Sequence, residues 1–167
     1  MKKRRHANDN FEVVSEKTPF AYNEAFKTFR TNVEFAASVD NCKTIMLCSA
    51  LSGEGKTTVS VNLAVALAKN GKKVLLCDCD LRRPKIQRYL RIKASSQSGI
   101  STVLNGSCSI DNAIGYMEEY NIYVMLSGPV PPNPSELLGN KRFQRMIAEA
   151  REQYDMIIID TPPLGSV

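Results

Sequence analysis

Cys48-Ser49-Ala50-Leu51-Ser52-Gly53-Glu54-Gly55-Lys56-Thr57-Thr58 follows the apolar run Ile45-Met46-Leu47 and precedes a long stretch rich in Ala, Val and Leu. A strand, a turn ending in Gly-Lys-Thr and a helix, in that order, form a phosphate-binding loop. Gly53 and Gly55 lack a Cβ, so the backbone can curl round a phosphate and aim N–H groups at it. The helix expected from Thr57 adds the positive end of its dipole. Lys56 supplies a point charge to the β- and γ-phosphates, and the Thr57 hydroxyl is suited to Mg²⁺. Ser52 through Thr58, Glu54 included, is therefore the candidate nucleotide-binding segment. One position departs from the usual pattern: Ala50 stands five residues before Gly55, where a glycine is normal.

Working outward, the C-terminal part supplies a second piece. Asp155-Met156-Ile157-Ile158-Ile159-Asp160 is a hydrophobic strand ending in aspartate, followed by Thr161-Pro162-Pro163. A carboxylate so placed can reach Mg²⁺ or its water in a phosphate-loop site. Between the two lies Lys73-Val74-Leu75-Leu76-Cys77-Asp78, whose continuous apolar centre suits a buried parallel strand. Asp78 and Asp80 then sit at the end of a core strand, where ligands bind in open α/β sheets. The three pieces predict an α/β fold of the P-loop NTPase kind, doubly wound round a mainly parallel sheet, that binds a nucleoside triphosphate.

The remaining chain is read around that frame. Residues 1–18 form a polar, irregular lead-in, and residues 19–167 form the P-loop domain. A helix is expected over 19–38, because Tyr22, Phe26, Phe29, Val33 and Ala36/Ala37 recur at helical intervals. Glu24, Lys27 and Arg30 lie away from that series, spaced three apart on the helix surface. The loop helix should run to about Asn70, with Asn70-Gly71 as its stop. Pro84 suits the first turn of a helix reaching Leu90. Residues 92–120 are harder to read: a loop at 95–99 and short helices near 100–105 and 109–116. A third strand covers 121–126. Residues 127–134, with four prolines, make a stiff extended connection, and helical segments follow from Ser135 to about Gln153.

Composition sets outer limits. The 167 residues, 43% hydrophobic and 23% charged, suit one globular domain, and no apolar run is long enough to span a bilayer. The net charge of +5 is modest, and the basic tail Met1–His6 is the only segment suited to an anionic surface; no nucleic-acid partner is expected. Five cysteines (Cys42, Cys48, Cys77, Cys79, Cys108) are an odd number and four lie in or beside expected strands. Together they point away from a disulfide framework and toward a reducing cytoplasm, and the pair in Cys77-Asp78-Cys79 reads as small buried hydrophobes rather than a metal site.

From about Asn23 to Pro163 the chain resembles the bacterial tyrosine kinases of capsule and exopolysaccharide synthesis. The matching stretches are Ser52–Thr58, Leu75-Leu76-Cys77-Asp78-Cys79-Asp80-Leu81-Arg82-Arg83-Pro84, Gly128 with Pro131-Pro132-Asn133-Pro134-Ser135-Glu136-Leu137-Leu138, and Ile157–Pro163. The resemblance implies ATP-dependent tyrosine phosphorylation, of the protein itself among other substrates. Lys56 would stabilise the transferred charge, while Thr57, Asp80 and Asp160 organise Mg²⁺. The resemblance makes Asp78 the acceptor of the tyrosine proton, with Asp80 beside it in the catalytic group. It also implies a ring-shaped homo-oligomer through a Glu-x-x-Arg-x-x-Arg helix, matched by Glu24, Lys27 and Arg30 with lysine in place of the first arginine. A membrane protein of polysaccharide chain-length control would be the activator, holding the chain at the inner face of the membrane.

Two departures shape the alternatives. Partitioning and division-site ATPases share the fold but carry a second lysine where this chain has Leu51, which counts against that reading. Only seven residues follow Asp160, whereas the family continues with further strands and a tyrosine-rich tail. The chain therefore reads as a kinase domain incomplete at its C-terminus, and a nucleotide-binding fragment without catalysis is the third reading.

Overall fold

The computed structural model describes residues 12–93 and 97–166. The basic tail, and two residues of the loop expected at 95–99, lie outside them. Five strands build one sheet: β1 (Thr44–Leu47), β2 (Val74–Asp78), β3 (Ile114–Met117), β4 (Ile122–Met125) and β5 (Met156–Asp160). Their order across the sheet is β1-β5-β2-β4-β3, with every neighbouring pair parallel except β4 and β3. Seven helices surround it among the described residues: α1 (Phe20–Val39), α2 (Lys56–Lys69), α3 (Ile86–Tyr89), α4 (Ile100–Asn105), α5 (Ile110–Ala113), α6 (Pro134–Leu138) and α7 (Lys141–Gln153).

The alternation of strand side chains divides the core. Val74, Leu76, Val124 and Ile158 pack with α2 and α3 on one face, under the half-buried Tyr22, Phe26, Val33 and Ala37 of α1. Leu75, Cys77, Met125, Ile157 and Ile159 pack with Ile100, Leu104, Met146 and Ala150 of α4 and α7 on the other. Strands β2 and β5 are buried along their whole length, so they must be apolar on both faces. Helix α2 is equally enclosed, with every residue from Ser60 to Ala68 buried. It ends as expected: Gly71 takes φ +83°, and its N–H and that of Lys72 donate to the carbonyls of Ala68 and Leu67.

Four expectations are corrected. The helix expected over 109–116 is only α5; Ile114-Gly115-Tyr116-Met117 instead forms the edge strand β3, antiparallel to β4. Residues 110, 113 and 114 do share helical spacing, but pairing with β4 through the turn at 118–121 overrides it. Pro84 does not open the next helix, because the amides of Lys85 and Ile86 turn inward to the Asp78 carboxylate, and α3 starts at Ile86. On α1 the buried stripe runs Tyr22, Phe26, Arg30, Val33, Ala37, in steps of four, four, three and four. Phe29 and Ala36 therefore face outward, and Arg30, expected on the open surface, has a side chain only 17% exposed, beside Glu34 at 3.5 Å. Glu34 is a charge partner for the mostly buried guanidinium and not a hydrogen-bonded one.

Residues 12–18 are irregular, as expected, yet tightly held. Val14 is buried in the core; its N–H donates to Asn62 Oδ1 (2.7 Å) and its carbonyl accepts from Lys69 Nζ (2.8 Å). The packed body thus begins by Glu12 among the described residues.

Candidate nucleotide site

The loop between β1 and α2 has the geometry its residues suggest. Gly53 and Gly55 take φ +92° and +84°, a conformation costly for residues with a Cβ, and nothing lies within 4 Å of where such a Cβ would stand. Glycine is therefore required at both positions by backbone conformation rather than by lack of room. Ala50 is not among the residues with positive φ, which is why this position tolerates a methyl group. Glu54 stiffens the loop from within, its carboxylate accepting the Leu51 N–H at 3.1 Å. Ser49, Ser52–Thr58, Asp80, Lys85, Arg88, Tyr89 and Pro163 line a cleft of about 250 Å³ over the N-terminus of α2.

Two strand ends deliver the carboxylates. Asp78 and Asp160 are register partners on β2 and β5, and both are fully buried. Asp160 Oδ2 accepts from Thr57 Oγ1 at 2.7 Å, and Oδ1 accepts from Ser60 Oγ at 3.0 Å with Lys56 Nζ at 3.7 Å. Burial pushes the Asp160 carboxyl above its ordinary value, while the two hydroxyls and Lys56 pull it back. Among the described residues no cation pairs with Asp78. Its oxygens accept the N–H groups of Ile86 (3.0 Å), Lys85 (3.2 Å) and Asp80 (3.3 Å). Burial, opposed by the Ile86 amide and reinforced by Asp160 and Asp80, pushes the Asp78 carboxyl up to about 7. Asp80 accepts the Arg83 N–H at 3.0 Å and alone of the three lines the cleft.

The structure therefore gathers Ser52–Thr58, Asp78, Asp80 and Asp160 at one end of the sheet. Glu24, Lys27 and Arg30 lie elsewhere, on α1, where Lys27 pairs with Glu24 at 3.4 Å and Arg30 with Glu34 at 3.5 Å. Sequence reasoning missed Ser60, although it stands three residues after Thr57 and four after Lys56 and so shares their helix face. It also missed Lys85, Arg88 and Tyr89, which α3 brings to the cleft and for which no local signal exists. Cys77 and Cys79 are buried thiols as expected, with burial pushing Cys77 up to about 12.

The Pro-rich stretch is tied to both α4 and the loop after β2. A Cβ on Gly99 would collide with the Leu126 carbonyl and the Gly128 amide, so the start of α4 lies directly on the strand β4 exit. Helix α6 follows, and Arg82 reaches its Ser135 hydroxyl at 3.3 Å, tying the Asp78–Pro84 loop to this segment.

Residues 42–167 match the family model described as AAA domain. The tyrosine-protein kinase YwqD of Bacillus subtilis is 40% identical over the whole chain, which spans 70% of that protein. The kinase domain of the Escherichia coli tyrosine kinase ETK superimposes with a TM-score of 0.82 at 35% identity, over 86% of this chain and 56% of that one. This chain belongs to the bacterial tyrosine kinases of capsule and exopolysaccharide synthesis. The septum site-determining protein MinD of Pyrococcus horikoshii is a weaker likeness, with a TM-score of 0.61 over 72% of the chain at 30% identity. The kinase chain carries an exposed Leu51 where such ATPases were expected to carry lysine. Its loop makes it a nucleotide-binding protein, and among the described residues no helix is long and apolar enough to cross a membrane.

Proposed function

We propose that this chain transfers the γ-phosphoryl group of ATP to protein tyrosine hydroxyls, its own copies included, with the work divided between the two buried strand ends. The observation that carries the reading is the Thr57–Asp160–Lys56 contact beneath an open glycine loop, with Asp80 facing the same cleft. Loop amides and Lys56 hold the β/γ-phosphates and stabilise charge as it moves. Thr57, Asp80 and Asp160 are hard oxygen donors of the kind Mg²⁺ takes. Bound there, Mg²⁺ would neutralise the phosphate charge; the MinD structure above was solved with Mg-ADP.

Asp78 is the proposed proton acceptor. A phenol of pKa about 10 needs a base at neutral pH, and a carboxyl near 7 is better matched to that task than an ordinary one. The Asp80–Lys85 loop that covers Asp78 has to shift for a tyrosine to reach it.

Self-association through Glu24, Lys27 and Arg30 is supported by family likeness and by the open Glu24–Lys27 pair; Arg30 must release Glu34 to take part. Activation by a membrane protein of polysaccharide chain-length control, and a resulting place at the inner membrane face, rest on the family likeness alone. The one-domain arrangement over 19–167 extends back to Glu12. The test is phosphotyrosine formation with ATP and Mg²⁺, alongside Lys56→Met and with an activator peptide. Signal abolished by Lys56→Met is expected; ATP hydrolysis without any phosphotyrosine would overturn the reading.

A further inference from the structure

We propose that Tyr116, on the edge strand β3, is a phosphorylation site of this chain, modified by the active site of a second copy. The inference rests on the kinase reading above and adds one acceptor. All six tyrosines fall among the described residues, and five are poor acceptors. Tyr89 and Tyr154 are buried. Tyr22 packs edge-on against Phe26, and its hydroxyl is held between the Glu12 carbonyl and the Asn62 amide. Tyr120 is half-buried against the core and bonded to Glu119. Tyr123 is wedged between the rings of Tyr116 and Tyr154, at 4.9 and 5.2 Å, with Lys73 above it.

Tyr116 also leans on a neighbouring ring, that of Tyr123, but it is the one tyrosine of the six that is exposed. It is 53% exposed, and its hydroxyl makes a single exposed bond, to Asn121 Oδ1 at 2.8 Å, which water or a substrate-binding group can replace. Strand β3 pairs only with β4 among the described residues, so its outer edge presents extended backbone to another chain. An extended segment with an exposed tyrosine is what an active-site cleft can take in.

The donor site must come from another copy. Tyr116 is the register partner of Tyr123, and Tyr123 that of Leu75, three residues before Asp78. Two strand spacings and three residues along a strand separate the Tyr116 and Asp78 backbones by about 14 Å. The Tyr123 side chain packs with the α4/α7 layer, and Tyr116 stacks on it, whereas α2 and Lys56 lie on the other face of the sheet. A rigid edge strand cannot carry Tyr116 round to its own site. In the transfer, Tyr116 Oη bonds the γ-phosphorus, and the bond from that phosphorus to the β–γ bridging oxygen breaks. ADP leaves with the electron pair, and the phenolic proton passes to the accepting carboxylate or to water.

The experiment incubates the full chain with ATP, Mg²⁺ and a glutamate–tyrosine copolymer, then maps phosphotyrosine by mass spectrometry. Phosphate at Tyr116 is expected, with an initial rate that rises as the square of protein concentration. A mass-tagged Lys56→Met chain mixed with the parent should be labelled at Tyr116. Tyr116→Phe should lose that peptide while copolymer phosphorylation stays within about twofold. Copolymer or chain phosphotyrosine with Tyr116 unmodified overturns this inference and leaves the kinase reading standing. A labelled parent beside an unlabelled Lys56→Met partner overturns transfer between copies. Absence of phosphotyrosine everywhere overturns both readings.

Discussion

Asp78 and Asp160 end adjacent strands in register, are equally buried, and have opposite surroundings. Asp160 faces two hydroxyls and the Lys56 ammonium, all from α2; Asp78 faces three backbone amides from the loop that follows it. A nearby cation stabilises the carboxylate against the cost of burial, and neutral amides offset that cost only in part. The Asp160 carboxyl, raised by burial, is thus drawn back toward its charged form by Lys56 and the two hydroxyls, whereas Asp78, raised to about 7, is placed to exchange a proton near neutrality. Equal burial does not mean equal chemistry; the partners decide.

The sharpest way to break this contrast is to remove the charged wall. Asp160→Ala should lower phosphotyrosine formation by at least about 10²–10³, as should Lys56→Met, since each removes an electrostatic element of the transfer site. Comparable activity in either variant would sink the division of labour. Next comes Asp78. A carboxyl raised to about 7 in the folded chain, against an ordinary value near 4, binds its proton more tightly when folded. Stability therefore falls as pH rises from about 4 to about 7, and the loss is complete above that. Asp78→Asn should lack this fall, so its melting temperature relative to the parent should rise from pH 5 to pH 8. In kinetics the parent rate should climb through about pH 7, and the variant should lose that limb.

A smaller effect is expected at Ser60. Ser60→Ala removes one bond to a buried carboxylate and should cost about 1–3 kcal/mol in urea unfolding, with Thr57 still in place. The smallest concerns the surface. Glu24→Lys removes an exposed pair and should leave stability within about 0.5 kcal/mol, while shifting oligomer size in sedimentation if α1 carries self-association.

Legibility followed the locality of the cause. The glycine loop, α2 and the buried strands β2 and β5 were readable because each is specified by its own residues: turn chemistry at Gly53 and Gly55, apolar runs at Val74–Cys77 and Met156–Ile159. Strand β3 was not, because Ile114–Met117 becomes a strand only by pairing with β4, and its local spacing equally suits a helix. The start of α3 was displaced from Pro84 for a similar reason, since a carboxylate seven and eight residues earlier captures the Lys85 and Ile86 amides. Arg30 was misplaced because one residue's difference in helical phase, about 100°, separates a solvated face from a packed one.

From the residues alone came the α/β class, the nucleotide loop and the three aspartates, because loop glycines, strand-end carboxylates and apolar runs carry their meaning within a few positions; the family came from the resemblance of whole motifs. Only the tertiary structure decided which carboxylate meets Lys56, that Ser60 and Tyr89 belong to the site, that Val14 is core, and that Tyr116 stands open on an edge. Those facts depend on which segments face each other across the sheet, and that is set by packing between residues far apart in the chain, Thr57 and Asp160 being 103 positions apart.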